Sequence, residues 1–304
     1  MAPRSLLDVD DLTPEELSRV LDRAVGFREA LPSRDLLAGV PVLNLFFEAS
    51  TRTATSFTLA EQRVGADIIS FAPGASSLGK GETIADTALT LHGIGVRAIV
   101  VRHPESGFAR RLADAFDGHV VNAGDGTHAH PTQALLDLMT LRQEFGRFEG
   151  LRVAIVGDIL HSRVARSNIV GMRMLGIDVT LVGPATLLPD EFAQPGVRIE
   201  RDLDALLPQL DAVMMLRIQR ERISAGLLPA LEDYTQRFQL NRVRLGLLRE
   251  DAVILHPGPY NRGVELTDDV LDDPRSRYVA QVHNGVFVRM AVLDFLVNGA
   301  PVPA

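Results

Sequence analysis

The 304-residue chain has no cysteine, no tryptophan and three tyrosines. Without a thiol there is no disulfide, no thiolate nucleophile and no cysteine-held zinc or iron–sulfur centre. Positive charge is not in excess either. Thirty-one Lys+Arg face 39 Asp+Glu, a formal charge of −8, so no general basic field draws in nucleic acid or an anionic membrane, and any anion site must be local. No segment approaches the roughly 20 apolar residues of a membrane span, and residues 1–17 carry acids and prolines where a signal peptide needs an apolar run. No internal repeat or low-complexity tract is present. The remaining composition, 46% hydrophobic and 23% charged, is globular at a length that suits two domains. The expected location is the cytoplasm, with no nucleic-acid or membrane partner.

Thr13-Pro14-Glu15-Glu16 offers a capping hydroxyl, a proline at the first helical position and a glutamate at the third. Leu17, Val20, Leu21 and Val25 then follow at helical spacing. Residues 40–47 form a short apolar run of strand length, and 50–63 have the start signal and composition of a helix. Further strands are predicted at 97–101, 151–156, 178–182, 212–216 and 252–255, with helices between them such as 131–145 and 164–175. This alternation predicts an α/β chain whose parallel sheets are covered by helices on both faces. A glycine-flanked stretch before the strand at 151–156 places a domain boundary near residue 146. Residues 286–297 read as an apolar helix that must pack on a domain surface. The loose stretch at 73–81 is small and flexible apart from Lys80.

Ser50-Thr51-Arg52-Thr53 sits where a strand hands over to a helix, so hydroxyls, a guanidinium and free helix amides converge there, as a phosphate cradle requires. Four such residues can equally be a helix cap beside a solvated arginine. Arg102 in Arg102-His103-Pro104 comes at the end of another strand, where ligands of open parallel sheets bind. His130 and Gln133 open a helix started by Pro131. A helix N-terminus disfavours imidazolium, and a neutral imidazole N–H can donate to a developing oxyanion. Asp125, His128 and His130 could instead be read as metal ligands, but His-x-His spacing is short and common.

In the second half, Gly157-Asp158 ends a strand, yet Ile159, Leu160 and His161 stand where a dinucleotide loop needs glycines, which argues against a nicotinamide cofactor. Arg163 lies at the following handover, well placed for a carboxylate. Arg217 and Gln219 point the same way if the chain stays extended, a pairing that suits a carboxylate, although a solvated charge cluster reads the same. His256-Pro257-Gly258-Pro259 is a stiff turn that presents backbone carbonyls or merely connects.

Taken together, residues 46–53, Lys80-Gly81-Glu82-Thr83, Arg102-His103-Pro104, His130-Pro131-Thr132-Gln133 and residues 217–222 resemble the aspartate carbamoyltransferase family in order and spacing across nearly the whole chain. The resemblance implies two parallel-sheet domains: 1–145 for carbamoyl phosphate, with the 286–304 segment packing back on it, and 146–285 for aspartate. It implies that Ser50, Thr51, Arg52, Thr53 and Arg102 take the phosphate, and that Thr53, Arg102 and His130 polarise the carbamoyl carbonyl. Gln133 and the Gly258 and Pro259 carbonyls would hold the carbamoyl nitrogen, Arg163 the aspartate α-carboxylate, and Arg217 with Gln219 the β-carboxylate. Ser77 and Lys80 would reach into a neighbouring subunit of a homotrimer, and Glu48 would pair with arginines of the aspartate domain. No cofactor or metal is implied.

Ala54 and Thr58 depart from the arginine and glutamate usual at those positions, and one lysine precedes Gly81-Glu82 where some members have two. The turn at 256–265 resembles that of members that work without a regulatory chain, some of which associate with dihydroorotase. The ornithine enzyme is the nearest alternative, but its cysteine turn and Ser-Met-Gly segment are missing, and an acidic co-substrate suits two arginines better than a cationic one. A catalytically silent scaffold for dihydroorotase is the alternative of another class.

Overall fold

The computed structural model describes residues 4–71, 83–218 and 231–299, and its first long helix, α1 (Pro14–Glu29), begins as its sequence dictates. The Thr13 hydroxyl accepts the Glu16 amide while the Glu16 carboxylate accepts the Thr13 amide, and Leu17, Val20, Leu21, Ala24 and Phe27 form the buried face. After α1 the chain alternates: β1 (Pro41–Phe46), α2 (Thr51–Val64), β2 (Asp67–Phe71), α3 (Ile84–Ile94), β3 (Ala98–His103), α4 (Phe108–Ala115), β4 (His119–Asp125) and α5 (Pro131–Phe145). The four strands pair in parallel in the order β2-β1-β3-β4. Parallel strands covered on both faces are apolar almost throughout, as the buried Val42, Leu43, Leu45, Ile99, Val100 and Val101 show.

A second run follows: β5 (Arg152–Val156), α6 (Arg163–Met174), β6 (Asp178–Val182), β7 (Val197–Glu200), α7 (Leu203–Leu206), β8 (Ala212–Met215), α8 (Leu231–Phe238), α9 (Arg242–Leu245), β9 (Val253–Leu255), α10 (Asp268–Leu271) and α11 (Tyr278–Asn298). Its strands are also parallel, ordered β7-β6-β5-β8-β9. The chain divides into two units, Met1–Met139 with His283–Ala304, and Thr140–Val282. Each unit has a core of its own. Leu43, Leu45, Ile99, Val101, Phe108 and Leu112 belong to one; Val156, Val182, Val213, Met215, Tyr234 and Phe238 belong to the other.

Two parallel sheets flanked by helices are what the alternation predicts. Arg102 proves to lie within β3 rather than after it, and Arg163 is the first residue of α6. Three strands have no counterpart in the sequence reading: β2, β4 and β7. No helix among the described residues is long and apolar enough to cross a membrane.

Candidate active site

In the first sheet β1 lies beside both β2 and β3. The chain leaves β1 through α2 towards β2, and leaves β3 through α4 towards β4 on the opposite side. The two connections diverge, which opens a crevice at the carboxyl ends of β1 and β3, the usual ligand position in such sheets. The start of α2 stands at this crevice. Thr13, Thr83, Ser162, Asp202 and Asn241 each cap a helix with a side-chain oxygen; Ser50 makes no such bond, as Gly107 and Thr267 make none at α4 and α10, and the first turn of α2 holds no acid. Its opening amides and positive dipole end are thus left for an external anion. Thr53 is buried there, while Thr51 and Arg52 are exposed.

Arg102 enters the same crevice from β3, opposite Phe46 in the strand register. Its Nε donates to Glu48 Oε2 at 3.1 Å, and a terminal nitrogen reaches the Ala123 carbonyl at 3.4 Å. Glu48, expected to pair with arginines of the second domain, is thus bonded to Arg102. From the next strand position, β4 leads to His130, which is 4% exposed and accepts the Gln133 amide at its backbone oxygen, 3.0 Å. Buried Asp137 holds the Gln133 amide nitrogen at 2.9 Å and so fixes that side chain. His103 turns away from this chemistry: it stacks on Phe108 at 3.8 Å, and burial lowers its pKa.

Asp125 does not gather ligands. Its carboxylate accepts from the Gly107 and Ala129 amides, from the Asn122 side-chain amide and from His128 Nδ1. These bonds tie the loops after β3 and β4 together, a sufficient reason for a buried acid at this place. Among the described residues no group of three His, Asp or Glu side chains is arranged to hold a metal.

Further along α2, Asn44 of β1 donates to Glu61 at 2.6 Å, and Glu61 is fully buried. Burial pushes the Glu61 carboxyl up to about 7, while the bond from Asn44 works in the other direction. A folded value above the ordinary 4.5 means that stability from this group is complete below about pH 4.5 and is lost as pH rises through about 7. Glu61→Gln, which keeps the shape without the charge, should remove a loss on the order of 3 kcal/mol across that window. Melting temperatures of parent and variant between these pH values check this; parallel curves would refute it.

The second sheet repeats the geometry. β5 lies between β6 and β8, and the connections after β5 and β8 diverge, carrying Arg163 and Arg217. Asp158 at the end of β5 accepts from both the His161 amide and its Nδ1, 3.1 and 2.9 Å, which stiffens the turn into α6. Burial raises the Asp158 pKa. Arg163 then opens α6, 5% exposed, so a guanidinium coincides with a helix N-terminus, an arrangement that favours an anion. Arg217 is half-buried two residues past β8. Asn261 Nδ2 bonds the carbonyl of neighbouring Ile218 at 3.2 Å, which joins this connection to the turn after β9. In that turn the Gly258 amide donates to His256 Nδ1 at 2.9 Å, and the Gly258–Pro259 bond is cis. Gly258 has φ +65°, and a methyl group there would lie 2.9 Å from the Tyr278 ring, so only glycine suits the position.

Of the residues expected from the sequence, Ser50, Thr51, Arg52, Thr53, Arg102, His130 and Gln133 come to the strand ends of the first sheet, and Arg163, Arg217, Gly258 and Pro259 to those of the second. Ser77, Lys80 and Gln219 lie outside the described residues. The sequence reading missed Asn44, Glu61 and Asp137, whose bonds tie α2 to β1 and fix Gln133. A polar residue inside the apolar run 40–47 was the available signal for Asn44.

A family model for the carbamoyl-phosphate-binding domain of aspartate/ornithine carbamoyltransferases matches residues 4–143, and one for the Asp/Orn-binding domain matches 149–296. The aspartate carbamoyltransferase catalytic subunit of Salinispora arenicola is 52% identical, covering 97% of this chain and 98% of that one. Aspartate transcarbamoylase from Trypanosoma cruzi, solved with carbamoyl phosphate and aspartate, superposes with a TM-score of 0.86 at 29% identity and 96% coverage of both chains. The catalytic subunit of the M. jannaschii enzyme gives a TM-score of 0.85 at 32% identity, with 97% and 98% covered.

Proposed function

The chain belongs to the aspartate/ornithine carbamoyltransferase family, and we infer from this that it transfers the carbamoyl group of carbamoyl phosphate to the α-amine of L-aspartate, releasing phosphate. It is a transferase, and its product, N-carbamoyl-L-aspartate, belongs to pyrimidine biosynthesis. The observation that carries the choice of acceptor is the pair Arg163 and Arg217 flanking the strand-order reversal of the second sheet: two cations suit a dicarboxylate and oppose a cationic amino acid.

We assign carbamoyl phosphate to residues 1–145 with the 286–304 segment, and aspartate to residues 146–285. The uncapped start of α2 supports a phosphate on Ser50, Thr51, Arg52 and Thr53, with Arg102 beside it. Thr53, Arg102 and His130 then polarise the carbamoyl oxygen, and Gln133, held by Asp137, takes the carbamoyl nitrogen together with the Gly258 and Pro259 carbonyls. The aspartate amine adds its lone pair to the carbonyl carbon, forming the C–N bond and an oxyanion. Collapse of that oxyanion breaks the C–O bond to phosphate, which departs with the electron pair, and the amine gives up a proton. Phosphate is already a good leaving group, so the protein's contribution is orientation and a fixed positive field. Ser77 and Lys80 complete a neighbour's site in a cytoplasmic homotrimer in this reading.

Arg217→Ala should raise the aspartate KM by about 10- to 100-fold with little change in the carbamoyl phosphate KM, the worth of charge-assisted hydrogen bonds. Equal aspartate saturation in parent and variant would remove Arg217 from the acceptor site. The function itself is tested by assaying the purified chain with carbamoyl phosphate and either aspartate or ornithine. Carbamoyl-aspartate with phosphate release is expected; turnover with ornithine alone would overturn the acceptor assignment, and turnover with neither would point to a silent scaffold.

A further inference from the structure

α11 is apolar from Val286 to Leu296 except for two charges, Arg289 and Asp294. Asp294 is accounted for by Arg23 at 2.8 Å. Arg289 has no carboxylate in hydrogen-bond contact among the described residues. It is 4% exposed, one terminal nitrogen donates to Ser56 Oγ at 2.8 Å, its guanidinium lies 4.9 Å from the centre of the Phe57 ring, and its Nε is buried without an acceptor. Ser56 and Phe57 belong to the second turn of α2, directly behind the residues of the cradle.

Two further charges act on this guanidinium. Burial and the like charge of Arg102 bring its pKa down to about 10, with Asp137 opposing them. A buried cation facing a second cation is costly; Glu48 on Arg102 and the charge of Asp137 offset part of that cost, and a phosphate dianion at the start of α2, where residues 50–53 are read as its cradle, would offset more. The helix gives ground to keep the guanidinium there. A Cβ on Gly285 would lie 2.5 Å from the Arg289 terminal nitrogen and 3.1 Å from Leu136, so the side chain folds back one turn over a glycine that a helix interior otherwise disfavours.

We propose that Arg289 is a positioning residue of the phosphate site: it pins α2 through Ser56 and sets a fixed positive charge behind Arg102, so that the cradle is prepared for a dianion before the substrate arrives. This rests on the reading of residues 50–53 as the phosphate cradle. It assigns Arg289 no direct contact with the reacting atoms.

The test is calorimetric titration of the full chain with carbamoyl phosphate and with inorganic phosphate, for the parent, Arg289→Met, Arg289→Lys and Ser56→Ala. Arg289→Met should weaken both anions by about 10- to 100-fold, and Arg289→Lys should recover part of the loss because it keeps the charge without the planar fork. Ser56→Ala, which removes the acceptor alone, should cost about 3- to 10-fold. The carbamoyl phosphate KM should rise in step while the aspartate KM stays at its parental value. A purely structural arginine would lower the melting temperature and leave anion affinity unchanged, and that result would overturn the proposal. Should Arg289→Met fail to fold, Arg289→Lys and Ser56→Ala carry the same decision. A parent that binds neither anion refutes the cradle itself and the proposal with it; a parent that binds and variants that bind equally refute the proposal alone.

Discussion

Replacing His130 with alanine is expected to lower kcat by about 10²- to 10³-fold, the usual loss for one oxyanion donor. The residue stands at the mouth of α5 with its backbone oxygen engaged by the Gln133 and Ala134 amides, so its position is set by the helix start and survives truncation of the side chain. The helix start is therefore expected to stay in place when the imidazole is removed, so that the effect falls on the chemical step. Ground-state binding of carbamoyl phosphate, assigned in the proposed function to residues 50–53 and Arg102, should change much less, so the carbamoyl phosphate KM should stay close to the parental value. Steady-state kinetics at saturating aspartate decide it; an unchanged kcat would take His130 out of the mechanism.

Arg102→Ala should be costlier still, with kcat/KM for carbamoyl phosphate reduced by about 10³-fold or more. Its side chain is 14% exposed and that of its partner Glu48 is 18% exposed, so the substitution does more than remove a donor. It leaves a largely buried carboxylate without its arginine at the place assigned above to the phosphate dianion, turning attraction into repulsion in a poorly screened crevice. The companion variant Glu48→Gln separates the two effects. Arg102→Ala combined with Glu48→Gln should regain part of the lost affinity, because the repelling charge is gone. A kcat/KM within about threefold of the parent in Arg102→Ala alone would contradict the assignment.

The fold was legible where burial on both faces forces apolar runs. β1, β3, β5, β6, β8 and β9 all read this way because each is covered by helices. β4 escaped because His119, Asn122 and Asp125 interrupt it, and the structure accounts for the interruption: Asn122 and Asp125 bond each other and tie the loops at the strand's end. β2 and β7 are short edge strands whose apolar runs are broken, by exposed Asp67 and Ser70 in β2 and by Arg198 and Glu200 in β7.

The candidate site was legible to the same physical degree. Hydroxyls beside an arginine at a strand-to-helix handover, or a histidine just before a helix-starting proline, are local patterns whose chemistry follows from sequence neighbours. Asn44 with Glu61, or Arg289 with Ser56, are not local. The first pair is joined across 17 positions and the second across 233, and no periodicity announces such a meeting. Thr58 illustrates the point. The glutamate usual there is absent, while Glu61, one turn further along α2, is buried and bonded to β1. A departure at one position therefore says little until the face of the helix is known.

The strand-order reversal in each sheet has a consequence for how such a protein changes over generations. In the proposed assignment most donor-reading residues hang from the loops of one sheet and the acceptor-reading Arg163 and Arg217 from the loops of another, with Gly258 and Pro259 of the second sheet the exception, and the two hydrophobic cores beneath them share no member. Substitutions far apart and without common partners add nearly independently. A lineage can accordingly redraw the loops after β5 and β8 to accept a different amine while the machinery for the activated carbamoyl group stays untouched. One ancestral donor half can serve several acceptors, and the appetite of the enzyme is an interchangeable part.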